Sequence, residues 1–312
     1  MNPAFSVVFL TTLLGAGQGL FLALFVIEGA VAAGLLTAPA SGFYSCGSAT
    51  AVILLGAGLL ASFFHLGHPE RAWRAAAMWR TSWLSREVIV LPLFMALVAG
   101  YGWMHWQGQL GTLTLGLIAA AVCVLLFVCT AMIYACIKFL QEWATPLTLV
   151  NFTLLGCASG VMLATALAAV RGEPNVAVLG QWAMLLTVAG MATRIVSLRR
   201  NAALKPKSTL QSAIGIQHPK VVQKAQGFMG GSFNTREFFH GRGPGTLRMV
   251  KWLFIAAAFV LPVVLVKSGL GAGSSALLVL AFAVQFCGLV AERWFFFAQA
   301  NHPQNLYYQT VS

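Results

Sequence analysis

Eight stretches of this chain are long enough and apolar enough to cross a lipid bilayer as helices, and almost no charge interrupts them. Roughly 30 Å of hydrocarbon takes about 20 consecutive, mostly apolar helical residues. Runs near 6–35, 47–66, 86–106, 113–139, 148–170, 178–198, 250–269 and 274–298 meet that length. Hydrocarbon holds no water to bond a backbone amide, so each run has to satisfy its own hydrogen bonds as a helix. The expected fold class is therefore all-α, an integral membrane bundle of eight transmembrane helices forming one domain. Composition agrees: 59% of the 312 residues are apolar, 8% are charged and none is Asp. About a quarter would be charged in a soluble protein. The first ten residues, MNPAFSVVFL, carry no Lys or Arg. A cleavable signal peptide has a basic start, so the first run reads as a retained helix.

An even number of crossings returns the chain to the side on which it began, called side A here. That side also receives the loops after helices 2, 4 and 6. Of the 19 Lys and Arg residues, all but Arg171 and Lys267 fall on side A. Basic residues concentrate on the cytoplasmic side of membrane proteins, so side A, with both termini, is expected in the cytoplasm. The polar stretch 199–249 is too short for a core of its own. It carries KPK, HPK and the Gly-rich GFMGGSFNTREFFHGRGPG, with Glu237 its one acid. One reading is a basic loop lying on anionic lipid. The other is a docking surface for a partner protein, with Arg74, Arg236, Arg242 and Arg248 as its candidate contacts. Phe228, Phe233, Phe238 and Phe239 favour docking, because a merely solvated loop has little use for four Phe. Nucleic acid would account for the charge but not for the membrane.

The densest chemistry lies in ASFFHLGHPERAWRAAAMWRTSWLSREV, residues 61–88. His65 closes the second run and Glu87 opens the third, so both sit near side A. Pro69 and Glu70 suit the first turn of a short helix between them. Arg71 and Arg74 fall on one face of that helix, and Trp73 and Trp79 suit the bilayer interface. Ser85 is a candidate N-cap for the third helix. Below His65 the face of the second helix is small, with Ser62, Ala61 and Gly58, so that a neighbouring helix or a flat ligand can come close. Gln18, between Gly17 and Gly19, lies near mid-bilayer and needs a partner, either a helix or a ligand.

A quinone fits this setting. It has an apolar body and two carbonyl oxygens, and its reduction takes two electrons and two protons. It needs an apolar slot, a hydrogen-bond donor and a proton relay open to water. His65 and Glu87 can supply the relay as general acid and base; the bland reading is that they tie two helix ends together. Haem is the rival redox group, but the six histidines provide no pair at matching depth within the helices. The six cysteines include no CxxC pair, so neither an iron–sulfur cluster nor a structural metal is expected in this chain. Electrons would then come from a partner. Late in the chain, Glu292 and Arg293 lie deep enough in helix 8 to need pairing. They read as a structural ion pair or as neighbours of a quinone pocket. The sequence shows no internal repeat, which leaves a transporter as the weaker alternative.

Gln18 within a Gly-rich first helix, His65-Leu66-Gly67, Pro69 followed by Arg71-Ala72, and Ser85 with Glu87 together resemble the DmsC family. These are the membrane anchors of molybdopterin oxidoreductases. Glu292-Arg293 is a looser match, and the resemblance is specific only over about residues 60–90. It implies eight helices and no haem. It also implies a quinone site (ubiquinone or menaquinone) at the positions of His65 and Glu87, with Gln18, Gly58, Ser62 and Arg71 as further candidates. The implied partners are an iron–sulfur subunit with four clusters and a molybdopterin catalytic subunit, in a bacterial inner membrane. The cytoplasmic placing of side A and the basic stretch 199–249 resemble the sulfite-oxidising branch of the family more than its dimethyl sulfoxide branch. Anchors acting with phenylacetyl-CoA are the nearest competitor.

Overall fold

The computed structural model describes residues 1–64, 66–207, 209–222, 224 and 240–303. Among the described residues eight helices are long and apolar enough to cross a membrane: α1 Phe5–Ala32, α2 Ser41–Phe63, α3 Trp83–Gln107, α4 Thr112–Ala135, α5 Pro146–Arg171, α6 Val176–Ala202, α7 Pro244–Ala272 and α8 Ser275–Ala298. Hydrogen bonds tie the connecting segments at each end of the bundle. The amine of Met1 donates to Ala300 O at 2.6 Å and the Asn301 side chain to Glu142 at 3.2 Å, at one end. At the other end Asn175 donates to Thr37 O at 2.7 Å and the Ala40 amide to Glu173 at 2.8 Å. The helices therefore alternate in direction, as the even count requires.

Local sequence accounts for most boundaries. Pro146 and Pro244 begin α5 and α7, where a missing N–H costs nothing. Gly108, Gly172 and Gly273 cap the ends of α3, α5 and α7 in the left-handed region. One capping expectation is corrected. Ser82, not Ser85, is the N-cap of α3, accepting from the Ser85 amide at 3.3 Å, and Ser85 is buried in the first turn. The helix gains that turn because Trp83 and Leu84 already lie at the apolar boundary. The segment Pro69–Met78 is a 3-10 helix packed against α3. Between α6 and α7 a five-residue helix, Leu210–Ile214, is closed by reciprocal bonds between Thr209 and Ser212.

α1 and α5 form the buried axis. Lipid is as apolar as Leu, so packing in a membrane depends on close approach and dispersion. A Cβ on Gly160 would lie 1.9 Å from the Gly19 carbonyl carbon, so only glycine fits where the two helices touch. α1 to α4 enclose one apolar core, with Phe21, Phe94 and Leu126 fully or nearly fully buried. α5 to α8 form a second four-helix group in which α5 and α7 each pack against both α6 and α8. In α7 a π-turn spans Ala256–Val260, and Gly288 of α8 sits against its backbone.

Candidate functional site

Glu87 lies one turn into α3, at side A, and is 6% exposed. Thr130 of α4 donates its hydroxyl to Glu87 Oε1. The other carboxylate oxygen takes no hydrogen bond from the described residues. Tyr134 follows Thr130 by one turn of α4 and stacks on Phe152 at 5.5 Å. Its ring belongs to an aromatic group with Trp143, Phe152, Phe296 and Phe297. A buried carboxyl held at one oxygen and open at the other can hydrogen-bond an oxygen-bearing head group, as acceptor when ionised and as donor when protonated. Neither Thr130 nor Tyr134 stood out in the sequence, because a hydroxyl in a membrane helix usually bonds its own backbone.

The other candidates are distributed more widely. His65 lies outside the described residues. Ser62 donates to Leu59 O at 2.6 Å. Gly58 faces α1: a Cβ there would come within 2.5 Å of Leu14 Cδ1. The Gln18 amide donates to Cys123 O of α4 at 3.2 Å, so a neighbouring helix takes its N–H. Cys123 precedes Thr130 by two turns, which puts Gln18 about 10 Å deeper than Glu87. Arg71 and Arg74 are exposed on the 3-10 segment; Arg71 lies 3.8 Å from Glu70, to which His68 also pairs at 3.0 Å. Arg86 donates to Trp79 O and Arg80 O at 2.9 and 2.8 Å and closes this segment onto α3.

On the docking side Arg242 and Arg248 are exposed at the start of α7, while Arg236 and the four loop Phe residues lie outside the described residues. Beside them His240 accepts the Arg242 amide at 3.0 Å, its ring 6.4 Å from that of Trp294. Burial, the N-terminal amine and Arg242 hold its imidazole below the ordinary value.

Glu292 is paired inside the bundle, but chiefly with a residue of the run 178–198 that was counted among the side A cations. Arg194 of α6 reaches it at 2.6 Å, whereas the adjacent Arg293 stands off at 3.9 Å. Arg293 lies instead over the Phe152 ring at 3.7 Å. A second polar cluster went unnoticed in the sequence. At the opposite end, Glu28 accepts from Tyr101 at 2.7 Å and from Thr112, and His105 Nε2 lies 3.4 Å from it. Glu28 was visible as a carboxylate inside an apolar run, which is costly enough to imply partners. Among the described residues no group of three or more His, Cys, Asp or Glu side chains could hold a metal ion.

The family model for "DMSO reductase anchor subunit (DmsC)" matches residues 1–299. The chain is also 58% identical, over 325 aligned positions and 100% of both chains, to a sulfite dehydrogenase subunit of Allochromatium vinosum. With eight spanning helices and a full-length match, the chain belongs to the DMSO reductase anchor subunit (DmsC) family.

Proposed function

We propose that this chain is the membrane anchor and quinone-binding subunit of a complex with an iron–sulfur subunit and a molybdopterin catalytic subunit. It passes electrons from the iron–sulfur partner, docked on side A, to the quinone pool of a bacterial inner membrane. The similarity to a sulfite dehydrogenase subunit over its whole length favours sulfite as the compound oxidised by the catalytic partner.

The observation that carries the quinone reading is Glu87. It is a buried carboxyl at side A, fixed by Thr130 at one oxygen and open at the other. A bound quinone accepts electrons and requires protons at its two oxygens. The protein's part is to hold the head group and to deliver those protons. Thr130 orients Glu87, and Glu87 donates a proton and recovers it from side A. The aromatic group around Tyr134 walls the site with apolar surface on the flank nearer side A. His65, outside the described residues, is the proposed second proton carrier, with the exposed Arg71 as a further candidate.

The test is the Glu87→Gln variant in the assembled complex. It keeps the shape and the bond to Thr130 but cannot carry a proton. Quinone reduction is expected to fall about 10²–10⁴-fold. Reduction of a soluble artificial acceptor by the catalytic partner is expected to stay near the parental rate. Parental quinone turnover in that variant refutes the site.

A further inference from the structure

α6 and α8 stand diagonally within the second four-helix group and scarcely approach each other's backbones. Polar side chains bridge the gap. Near mid-bilayer Gln285 donates to Thr187 at 2.9 Å and to Ala258 O, in the π-turn, at 3.4 Å. Seven residues on along both helices, about 10 Å nearer side A, Glu292 meets Arg194. One turn further, Ser197 accepts from Asn151 at 2.7 Å. Asn201, the next turn again, lines a cavity of about 380 Å³ at side A with Gln141, Glu142 and Lys205.

This seam is poorly satisfied by the protein. Asn151 Oδ1, Arg194 Nη2, Glu292 Oε2, Arg293 Nε and Gln285 Oε1 are all buried without a hydrogen-bond partner among the described residues. Buried polar atoms are nearly always bonded to protein or to ordered water, and hydrocarbon offers no other solvent. The gap of 3.9 Å between Arg293 and Glu292 exceeds a direct bond, the range in which a bridging water is expected. Two guanidiniums against one carboxylate also leave a positive charge that apolar packing alone would not tolerate.

We propose that the interior of the α5–α8 group is a hydrated seam. A chain of ordered waters, bound by Asn151, Arg194, Glu292, Arg293 and Gln285 and open to side A, supplies protons toward Glu87 by way of Tyr134. Arg293 lies over Phe152, on which Tyr134 stacks at 5.5 Å, so the seam ends beside the Glu87 site. Its positive charge opposes an excess proton. Transfer therefore runs as a proton deficit: a water beside Tyr134 gives up a proton toward Glu87, and the chain refills it from side A, one proton in for each one delivered. The hydration stands alone, while the proton role rests on the proposed function.

Millisecond hydroxyl-radical labelling of the intact complex separates the two. Radicals generated from bound water should oxidise Phe254, which is 0% exposed but lies 5.8 Å from Arg194, and spare the equally buried Phe21 and Phe94. Asn151→Leu should reduce the labelling of Phe254. If Phe254 labels no faster than Phe21 and Phe94, the seam is dry and the proposal falls. For the proton role, Asn151→Leu should slow quinone reduction roughly tenfold, less than loss of the transferring group itself, and leave the artificial-acceptor rate alone. Labelled Phe254 with parental quinone turnover in Asn151→Leu overturns the proton role. Failure of the proposed function shows separately, as parental quinone turnover in Glu87→Gln.

Discussion

Arg194 and Glu292 meet at 2.6 Å, each 2% exposed at its side chain, and so join α6 to α8 across the interior of a membrane bundle. The pair is not neutral with its surroundings, because Arg293 lies on the same helix turn. Arg194→Gln leaves one carboxylate and one guanidinium, whereas Glu292→Gln leaves two guanidiniums facing each other. Glu292→Gln is therefore expected to be the more damaging, by about 3–5 kcal/mol relative to the parent. Thermal unfolding of the purified chain in detergent measures it, and equal losses from the two variants would contradict this charge balance.

The contact of α1 with α5 admits no side chain at Gly160. Gly160→Ala places a methyl group inside the backbone of Gly19 and Leu20 and must push the helices apart. A cost of about 1–3 kcal/mol or more is expected, read as lower thermal stability and lower yield in membranes. Gly29, in the same helix pair but with open space at its Cβ, is the control: Gly29→Ala should be neutral or slightly stabilising.

The proposed orientation places side A in the cytoplasm. A reporter active only in the periplasm should stay silent when fused within 205–225 and work when fused near Gly108. The opposite pattern would reverse the bundle and remove the reason for preferring a cytoplasm-facing complex.

Docking is the fourth prediction. Arg242, just before α7, and Arg248, in its first turns, are exposed. Neutralising them together with Arg236 should release the catalytic and iron–sulfur subunits from membranes while this chain stays inserted. Release of the parent complex should rise with salt, because exposed charges are screened beyond about 8–10 Å at moderate ionic strength. A complex that remains intact in the triple variant at ordinary salt would assign the segment to lipid instead.

The eight helices were legible because their signal is local. Length, apolarity and the absence of charge each concern one run at a time, and the runs at 113–139 and 274–298 differ from α4 and α8 only at their ends. Glu87 was legible for a similar reason, as a lone carboxylate opening an apolar run. The expected N-cap at Ser85 failed on a local competitor, Ser82, since two serines three residues apart can serve the same first turn. Gln18 could be recognised as needing a partner, but the helix that supplies one, through Cys123 O, lies far away along the chain.

The sequence by itself determined the solvent, the number of crossings and the imbalance of basic charge between the two faces, since each is a property of single segments and sums along the chain. Only the tertiary structure decided which buried polar groups share a partner. Arg194 reads in sequence as the last cation before a basic loop, and becomes an interior charge because α6 runs on to Ala202 and turns that residue toward Glu292. Thr130 is one hydroxyl among many until α3 and α4 bring it onto Glu87. The physical reason is the same in both cases. In hydrocarbon a polar side chain must find its complement, and helices far apart along the chain supply it.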